Sequence, residues 1–136
     1  MAKTYKLFIS HSWDYDDVLQ DLKNLLDSRG YFPAEYTQIE KSCPVESDNA
    51  GVIKSNITKH LNESDVVLAI SGVYTSHSEW MQWEMRKAKE LGLNIIGVIP
   101  RGQESISHVV FNMSAVDVHW NADRIVEAIR KYSKNN

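Results

Sequence analysis

The sequence predicts an α/β fold, with a parallel β-sheet between two layers of helices, because strand-like and helical segments alternate along its 136 residues. Two of the strand-like segments, residues 65–70 and 94–99, are continuously apolar, as is typical of parallel strands that are buried on both faces. The length corresponds to one domain. We therefore expect residues 1–136 to form a single flavodoxin-like three-layer sandwich, with a five-stranded parallel sheet in the order 2-1-3-4-5.

The first predicted elements are a strand, a helix and a weaker strand. Residues 5–10 are rich in aromatic and β-branched side chains, as in a buried strand. Apolar residues recur at three- and four-residue steps over residues 16–29, and Gly30 then provides a helix stop. Residues 31–36 predict a second strand, and Pro33 places it at an edge of the sheet because proline cannot donate a backbone hydrogen bond.

The middle of the chain begins with a long polar segment. Residues 37–51 show no apolar period, which predicts a functional or mobile loop and a candidate lid. Helical spacing returns over residues 52–64. The apolar strand at residues 65–70 follows directly and should lie in the centre of the sheet.

The second half of the chain predicts two helices and two strands. Residues 78–91 have helical spacing, and residues 94–99 form an apolar strand that ends before a proline. Residues 101–114 are polar and predict an irregular segment. A short last strand at residues 115–118 and a helix at residues 122–132 complete the order of elements.

In a sheet of this order, the winding reverses between the first and third strands. Ligands bind outside the carboxyl ends of the strands at such a point. The residues at these ends are Ser10, His11, Ser12, Ser71 and Gly72. We expect the functional site to lie among them.

The charge and cysteine content exclude some classes of function. The chain has 15 Lys and Arg residues against 18 Asp and Glu residues, a net charge of −3, and lacks the basic surface that nucleic-acid binding requires. Cys43 is the only cysteine, which excludes an internal disulfide and fits a reducing compartment. The sequence shows no signal peptide and no apolar run of the ~20 residues that cross a membrane. We expect a cytoplasmic protein with neither nucleic-acid nor membrane partners.

Several familiar sites are missing from the sequence. The glycine motifs of dinucleotide and nucleoside triphosphate sites do not occur, and no G-x-S-x-G motif accompanies the serines near His11. The paired acidic residues and the acceptor aspartate of receiver domains are also missing after the first and third strands. Since the five histidines lack the close spacing of metal ligands, we expect no metal site.

The predicted helix over residues 78–91 carries a carboxylate on an apolar face. Trp80, Glu84 and Ala88 lie on one helical stripe. A carboxylate in that position costs free energy unless it is hydrogen-bonded or faces a wet cleft. Because the helix begins after the third strand, Glu84 lies within reach of the strand-end cleft. The indoles of Trp80 and Trp83 beside it would suit a planar, cationic or sugar-bearing ligand.

A purely structural interpretation fits the same pattern. Trp80 and Trp83 would then be packing residues, and Glu84 would form a surface ion pair with Lys87 or Lys89. Periodicity alone does not decide between the two interpretations.

Three segments of the sequence, taken together and in this order, resemble a TIR domain. They are the opening strand at residues 5–12, the stretch 53–70 that leads into Ser-x-x-Tyr-Thr-x-x-Ser, and the Ser78-x-Trp80-x-x-x-Glu84 spacing. The resemblance covers residues 5–100 and is strongest for the TIR-like group that includes the Thoeris anti-phage proteins of bacteria. The Phe-Trp box of animal adaptor TIR domains is not recognisable, which favours the bacterial branch.

The resemblance implies an enzyme that cleaves the bond between nicotinamide and ribose in NAD and returns a cyclic ADP-ribose isomer as a signal. Glu84 is then the catalytic glutamate, which stabilises an oxocarbenium-like transition state, and NAD is a substrate, with no separate cofactor. The resemblance also implies substrate-binding residues in the first strand, the helix and the long loop: Phe8, Ser10, His11, Trp80, Trp83, Asp48 and Asn49. A separate effector protein would read the nucleotide product.

Two other functions stay open. One is a non-catalytic TIR interaction module, which self-associates or docks against another TIR surface. The other is a carrier of flavin or nucleotide on the same fold, since a fold alone does not determine function.

Overall fold

The sheet of the computed structural model contains five strands within the described residues, which are 4–11, 18–39, 43–70, 79–102 and 108–134. The strands are β1 (Tyr5–His11), β2 (Ala34–Thr37), β3 (Val66–Ile70), β4 (Ile95–Val98) and β5 (Val116–Val118). All neighbouring pairs are parallel, and their order is β2-β1-β3-β4-β5. The predicted fold class is confirmed, including the strand order and the edge position of β2.

In the same described ranges, four helices connect successive strands and a fifth follows β5. They are α1 (Val18–Arg29), α2 (Ala50–Glu63), α3 (Glu79–Glu90), α4 (His108–Met113) and α5 (Ala122–Tyr132). Gly30 ends α1 as predicted, because its φ of 75° suits glycine and its N–H donates to the carbonyl of Leu26. The side chain of Asn121 accepts a hydrogen bond from the N–H of Arg124 and thereby caps α5.

Two apolar clusters cover the two faces of the sheet. The cluster on the α1/α5 face contains buried side chains of those two helices, among them Leu22, Leu26 and Ile125. The cluster on the α3 face takes its helical side chains from α2, α3 and α4, among them Ile57 and Met85. Fully burying one such aliphatic side chain contributes about 1.5–3 kcal/mol. These clusters therefore hold the helices against both faces of the sheet.

The alternation of side chains along β1 determines which face each residue joins. Leu7 and Ile9 belong to the cluster on the α1/α5 face, whereas Phe8 belongs to the cluster on the α3 face. Successive side chains of a strand point to opposite faces. Ser10, two residues after Phe8, therefore lies on the α3 face near the carboxyl end of β1.

The structure corrects three predicted boundaries. Residues 101–114 are not wholly irregular, since they contain α4, whose six residues are too few to show a period in the sequence. The second strand begins at Ala34 and not at residue 31, because the φ of 57° at Tyr31 is incompatible with an extended strand. Helix α2 begins at Ala50, two residues earlier than predicted.

None of the helices in the described ranges combines the length and the apolar character needed to cross a membrane.

Candidate active site

Helix α3 carries Glu84 on the side that packs against the sheet. The buried residues of this helix are Trp80, Met81, Glu84, Met85 and Ala88. Glu84 is only 1% exposed. The apolar stripe predicted from the sequence is therefore present, and the carboxylate lies within it.

The buried carboxylate accepts a hydrogen bond from the first strand. The hydroxyl of Ser10 donates to Oε1 of Glu84 over 2.9 Å, between residues 74 positions apart in the sequence. Ser10 is itself fully buried. Hydrogen bonds with an ionised partner contribute more than neutral ones, about 1.5–3 kcal/mol, and a buried carboxylate needs such donors. The bond connects the carboxyl end of β1 to the second turn of α3.

The interpretation of Glu84 as a surface ion-pair partner is wrong. Lys87 pairs instead with Glu90, with 2.8 Å between Nζ and Oε2. The ammonium of Lys89 donates to the carbonyl of Met113. Both lysines therefore interact with groups other than the buried carboxylate.

The two tryptophans of α3 have different environments. Trp80 is 5% exposed, and its Nε1–H donates to the carbonyl of Cys43 over 2.7 Å. Trp83 is half-buried and contacts Trp80 edge to face, with 6.1 Å between the ring centroids. Trp83 also lines a pocket whose other residues lie further along α3, and Glu84 is not among them. Trp80 thus packs one helical turn before Glu84, while Trp83 belongs to a neighbouring surface.

The other predicted site residues lie at different distances from this centre. Phe8 is fully buried on the α3 face, two positions before Ser10 on β1. His11 ends β1 in register with Ile70, and its side chain lies outside the described set. Asp48 and Asn49 are exposed, and Asn49 occupies the N-cap position of α2 without a side-chain capping bond. The structure therefore brings Ser10 to Glu84 and leaves the two loop residues at the surface.

Two predicted strand-end segments fall outside the described residues. They are residues 12–17 after β1 and residues 71–78 after β3, which include Ser12, Ser71 and Gly72. In the long loop, residues 40–42 lie outside the described residues, and Ile39, Cys43 and Val45 pack against the cluster on the α3 face.

A second polar position on the same face was missed by the sequence analysis. Ser10, Ala69, Gly97 and Asp117 are successive partners across β1, β3, β4 and β5. A Cβ atom at Gly97 would overlap with the carboxylate of Asp117, which accepts a hydrogen bond from the hydroxyl of Ser114. At about 4.8 Å per strand, Ser10 and Asp117 lie ~14 Å apart. The sequence did contain a sign of this position, since Asp117 interrupts an apolar strand. Its proximity to Gly97 became evident only from the pairing register of β4 and β5.

Among the residues that the structure describes, no group of three His, Cys, Asp or Glu side chains could hold a metal ion. The polar groups that the described residues bring together on this face are the carboxylate of Glu84 and the hydroxyl of Ser10.

Comparison with known protein families identifies the relatives of this chain. The family described as the TIR-like domain of the Thoeris protein ThsB matches residues 8–105. The chain belongs to this family. The match spans β1 to the segment after β4 and includes Ser10 and Glu84, and it establishes a defence-related TIR domain. No curated protein matches the chain significantly.

Solved structures with a similar fold support the architecture of this TIR-like domain. A 2-deoxyribosyltransferase from Bacillus psychrosaccharolyticus has a TM-score of 0.57 at 16% identity, over 85% of this chain and 87% of that one. A 3-dehydroquinate dehydratase-like protein from Bifidobacterium longum has a TM-score of 0.55 at 12% identity, over 96% and 95%. A CMP N-glycosidase from Clostridium botulinum has a TM-score of 0.52 at 18% identity, over 93% and 96%. At these identities the similarity establishes the fold alone.

Proposed function

We propose that this TIR-like domain is an NAD glycohydrolase or cyclase that acts in the bacterial cytoplasm during anti-phage defence. It cleaves the bond between nicotinamide and ribose and releases a cyclic ADP-ribose-type nucleotide, which a separate effector protein reads. The observation that carries this proposal is the carboxylate of Glu84, buried on α3 and hydrogen-bonded to Ser10 at the carboxyl end of β1.

One carboxylate is sufficient for this reaction. When the bond between ribose C1′ and the nicotinamide nitrogen breaks, the electron pair leaves with the ring, and the leaving group is neutral nicotinamide. The leaving group therefore needs no general acid, in contrast to the two-carboxylate scheme of most glycosidases. Positive charge develops on the ribose, and the carboxylate of Glu84 stabilises it in a site with little water.

The second half of the reaction determines the product. Attack on C1′ by water gives linear ADP-ribose and releases one proton to solvent. Attack by a nucleophilic atom of the same molecule closes a ring and gives a cyclic isomer. The hydroxyl of Ser10 holds Glu84 in position before the substrate binds, and rotation about a single bond releases the carboxylate to the ribose.

Substrate reaches Glu84 only when the atoms that cover it move aside, because the side chain is 1% exposed. The described part of the 37–51 loop packs on α3 through the bond between Trp80 and the carbonyl of Cys43. We assign the lid function to this loop, with Asp48 and Asn49 approaching the substrate when it closes.

The wall of the substrate site is assigned to side chains near the carboxyl end of β1 and the start of α3. Trp80, Phe8 and His11 contribute from these elements. Trp83 joins the wall only if its ring turns away from the pocket that it lines in this structure.

The fold is compatible with chemistry at the bond between a base and a sugar. Two proteins of similar fold are named as a 2-deoxyribosyltransferase and a CMP N-glycosidase. Their low identity assigns no residue role in this chain, so the proposal depends on Glu84 and on the family.

The test compares nicotinamide release from NAD by the wild type and by Glu84→Gln. Glu79→Gln is the matched control, because Glu79 lies on the same helix and is exposed. We expect release by the wild type and by the control, and loss of release in Glu84→Gln. Mass spectrometry of the products distinguishes linear from cyclic ADP-ribose.

Both dilute and crowded solutions are needed, because the wild type could require self-association. Equal release from the wild type and from Glu84→Gln in both conditions would refute the catalytic role. A melting temperature that NAD and ADP-ribose leave unchanged would favour the non-catalytic interaction module, since a ligand that binds only the folded state raises stability.

A further inference from the structure

The outer face of α3 carries a small pocket that does not include Glu84. It is lined by Trp83, Arg86, Lys87 and Glu90 and has a volume of about 260 Å³. These residues follow one another at steps of three, one and three positions and form one stripe of the helix. Glu84 belongs to the stripe that packs on the sheet, and it is not among the residues that line this pocket.

Two ammonium groups lie over the indole of Trp83. Nζ of Lys87 is 5.4 Å from the centroid of the ring, and Nζ of Lys54 is 5.9 Å from it. Lys54 belongs to α2, so two helices contribute charge to one ring. Such cation–π contacts contribute ~0.5–1 kcal/mol each at exposed sites, and they favour positions of the two ammonium groups beside the pocket.

The charges around the pocket are unbalanced. Lys54, Arg86 and Lys87 are positive, and among the described lining residues Glu90 alone is negative, in an ion pair with Lys87. Within the described part of the chain, neither Lys54 nor Arg86 forms an ion pair. The group therefore carries a local charge of +2 on a chain whose net charge is −3. Like charges held together repel one another, and an anion would relieve that repulsion.

We propose that this Trp83 pocket binds a phosphate or diphosphate group of a small molecule. Such an anion matches the local charge, and the guanidinium and ammonium groups supply charge-assisted hydrogen bonds to its oxygens. Pockets for drug-sized ligands usually measure about 300–1,000 Å³, so a pocket of about 260 Å³ suits a compact anion. The site is distinct from the Glu84 centre and does not depend on NAD cleavage.

Inorganic pyrophosphate is the probe for the test. In wild-type protein at low salt, we expect saturable heat in calorimetry and a shift of the Trp83 indole N–H resonance, which Trp83→Phe identifies by its disappearance. Lys54→Met combined with Lys87→Met should weaken the affinity at least tenfold. Lys59→Met is the matched control, because Lys59 lies on another face of α2 and is exposed; its affinity should stay within about twofold of wild type.

Arg86→Met keeps the experiment decisive if the double variant fails to fold. Arg86 is exposed and its side chain is not part of the core, so the fold should persist while the affinity falls. A comparison of ADP with adenosine shows whether the pocket recognises the diphosphate group or the nucleoside. We expect ADP to shift the Trp83 resonance as pyrophosphate does, and adenosine to leave it unchanged.

Three results would overturn the proposal. They are the lack of any saturable shift with pyrophosphate or ADP, a shift with adenosine alone, and unchanged affinity in the Arg86 or lysine variants. Glu84→Gln should bind pyrophosphate as the wild type does. Loss of pyrophosphate binding in that variant would likewise refute a separate site, whereas loss of NAD cleavage alone would leave it intact.

Discussion

Two carboxylates are buried in the described residues, Asp65 and Glu84, and they lie at opposite ends of the parallel strands. Asp65 precedes β3 at the amino-terminal ends of the strands. It is 7% exposed and accepts a hydrogen bond from the backbone N–H of Lys6 over 2.9 Å. Glu84 lies near the carboxyl-terminal end of β1. It is 1% exposed and accepts a hydrogen bond from the hydroxyl of Ser10, also over 2.9 Å.

The two carboxylates differ in the kind of donor that they accept from, and we expect a structural role for Asp65 and the proposed catalytic role for Glu84. The N–H of Lys6 is part of β1, and it cannot leave Asp65 without disturbing the pairing of the strand. The backbone N–H of Lys134 also donates to the carbonyl of Asp65, so this residue joins three parts of the chain. The hydroxyl of Ser10, in contrast, can rotate about a single bond and release Glu84 to a substrate.

The largest expected effect is on catalysis. Glu84→Gln should lower kcat for NAD cleavage by about 10²–10³, the typical result of losing one preorganised electrostatic group. Asp65→Asn has the same change of charge and size, and it should retain kcat within about threefold per folded molecule. Nicotinamide release measured on folded protein checks both values. If Asp65→Asn lost as much activity as Glu84→Gln, the assignment of a structural role to Asp65 and a catalytic role to Glu84 would fail.

The next effect is on the free energy of unfolding. Asp65→Ala removes a charged acceptor from the N–H of Lys6 and should lower that free energy by ~1.5–3 kcal/mol. Glu84→Gln replaces a buried charge by a neutral amide and should change it by less than about 1 kcal/mol, or increase it. Urea denaturation measures both. A larger loss in Glu84→Gln than in Asp65→Ala would reverse the assigned roles.

A smaller effect tests the polar position beside β4. Gly97→Ala places a methyl group against the carboxylate of Asp117, so that side chain must move, at a cost of ~1–3 kcal/mol. Gly51→Ala is the control, because no atom lies near the new methyl group within α2, and helix propensity should make it stabilising by ~0.5–1 kcal/mol. Thermal denaturation of both variants should give shifts of opposite sign.

The smallest expected effect is a change in the alkaline pH dependence of stability, caused by Tyr36 in β2. Burial, and then the nearby carboxylate of Asp27, raise the pKa of Tyr36 from 10.0 to about 12. The unfolded chain loses this phenol proton at lower pH, so the contribution to stability is complete below pH 10 and is lost as the pH rises towards 12. Tyr36→Phe should show a weaker alkaline decrease in the free energy of unfolding. An identical decrease in both proteins would contradict the raised pKa.

Local patterns in the sequence predicted most of the fold. The bounds of α5 and the strand order follow from apolar spacing and from the rules for parallel sheets. Helix α4 was missed because six residues show no period, and the start of β2 because the left-handed φ of Tyr31 is unusual for a residue other than glycine.

The candidate site was predictable only in part. The burial of Glu84 follows from its position on an apolar helical stripe. Its bond to Ser10, and the position of Asp117 over Gly97, depend on contacts between residues that are distant in the sequence. The roles of Asp48 and Asn49 remain predictions, because the loop has no pattern that determines its path.

The bond between Trp80 and Cys43 makes the protein suitable for spectroscopy without further engineering. Cys43 carries the one thiol of the chain, and its carbonyl holds the indole of Trp80 one helical turn before Glu84. A maleimide dye on this thiol would lie beside a natural quencher. Its fluorescence would report, in real time, each separation of the loop from the helix that carries Glu84.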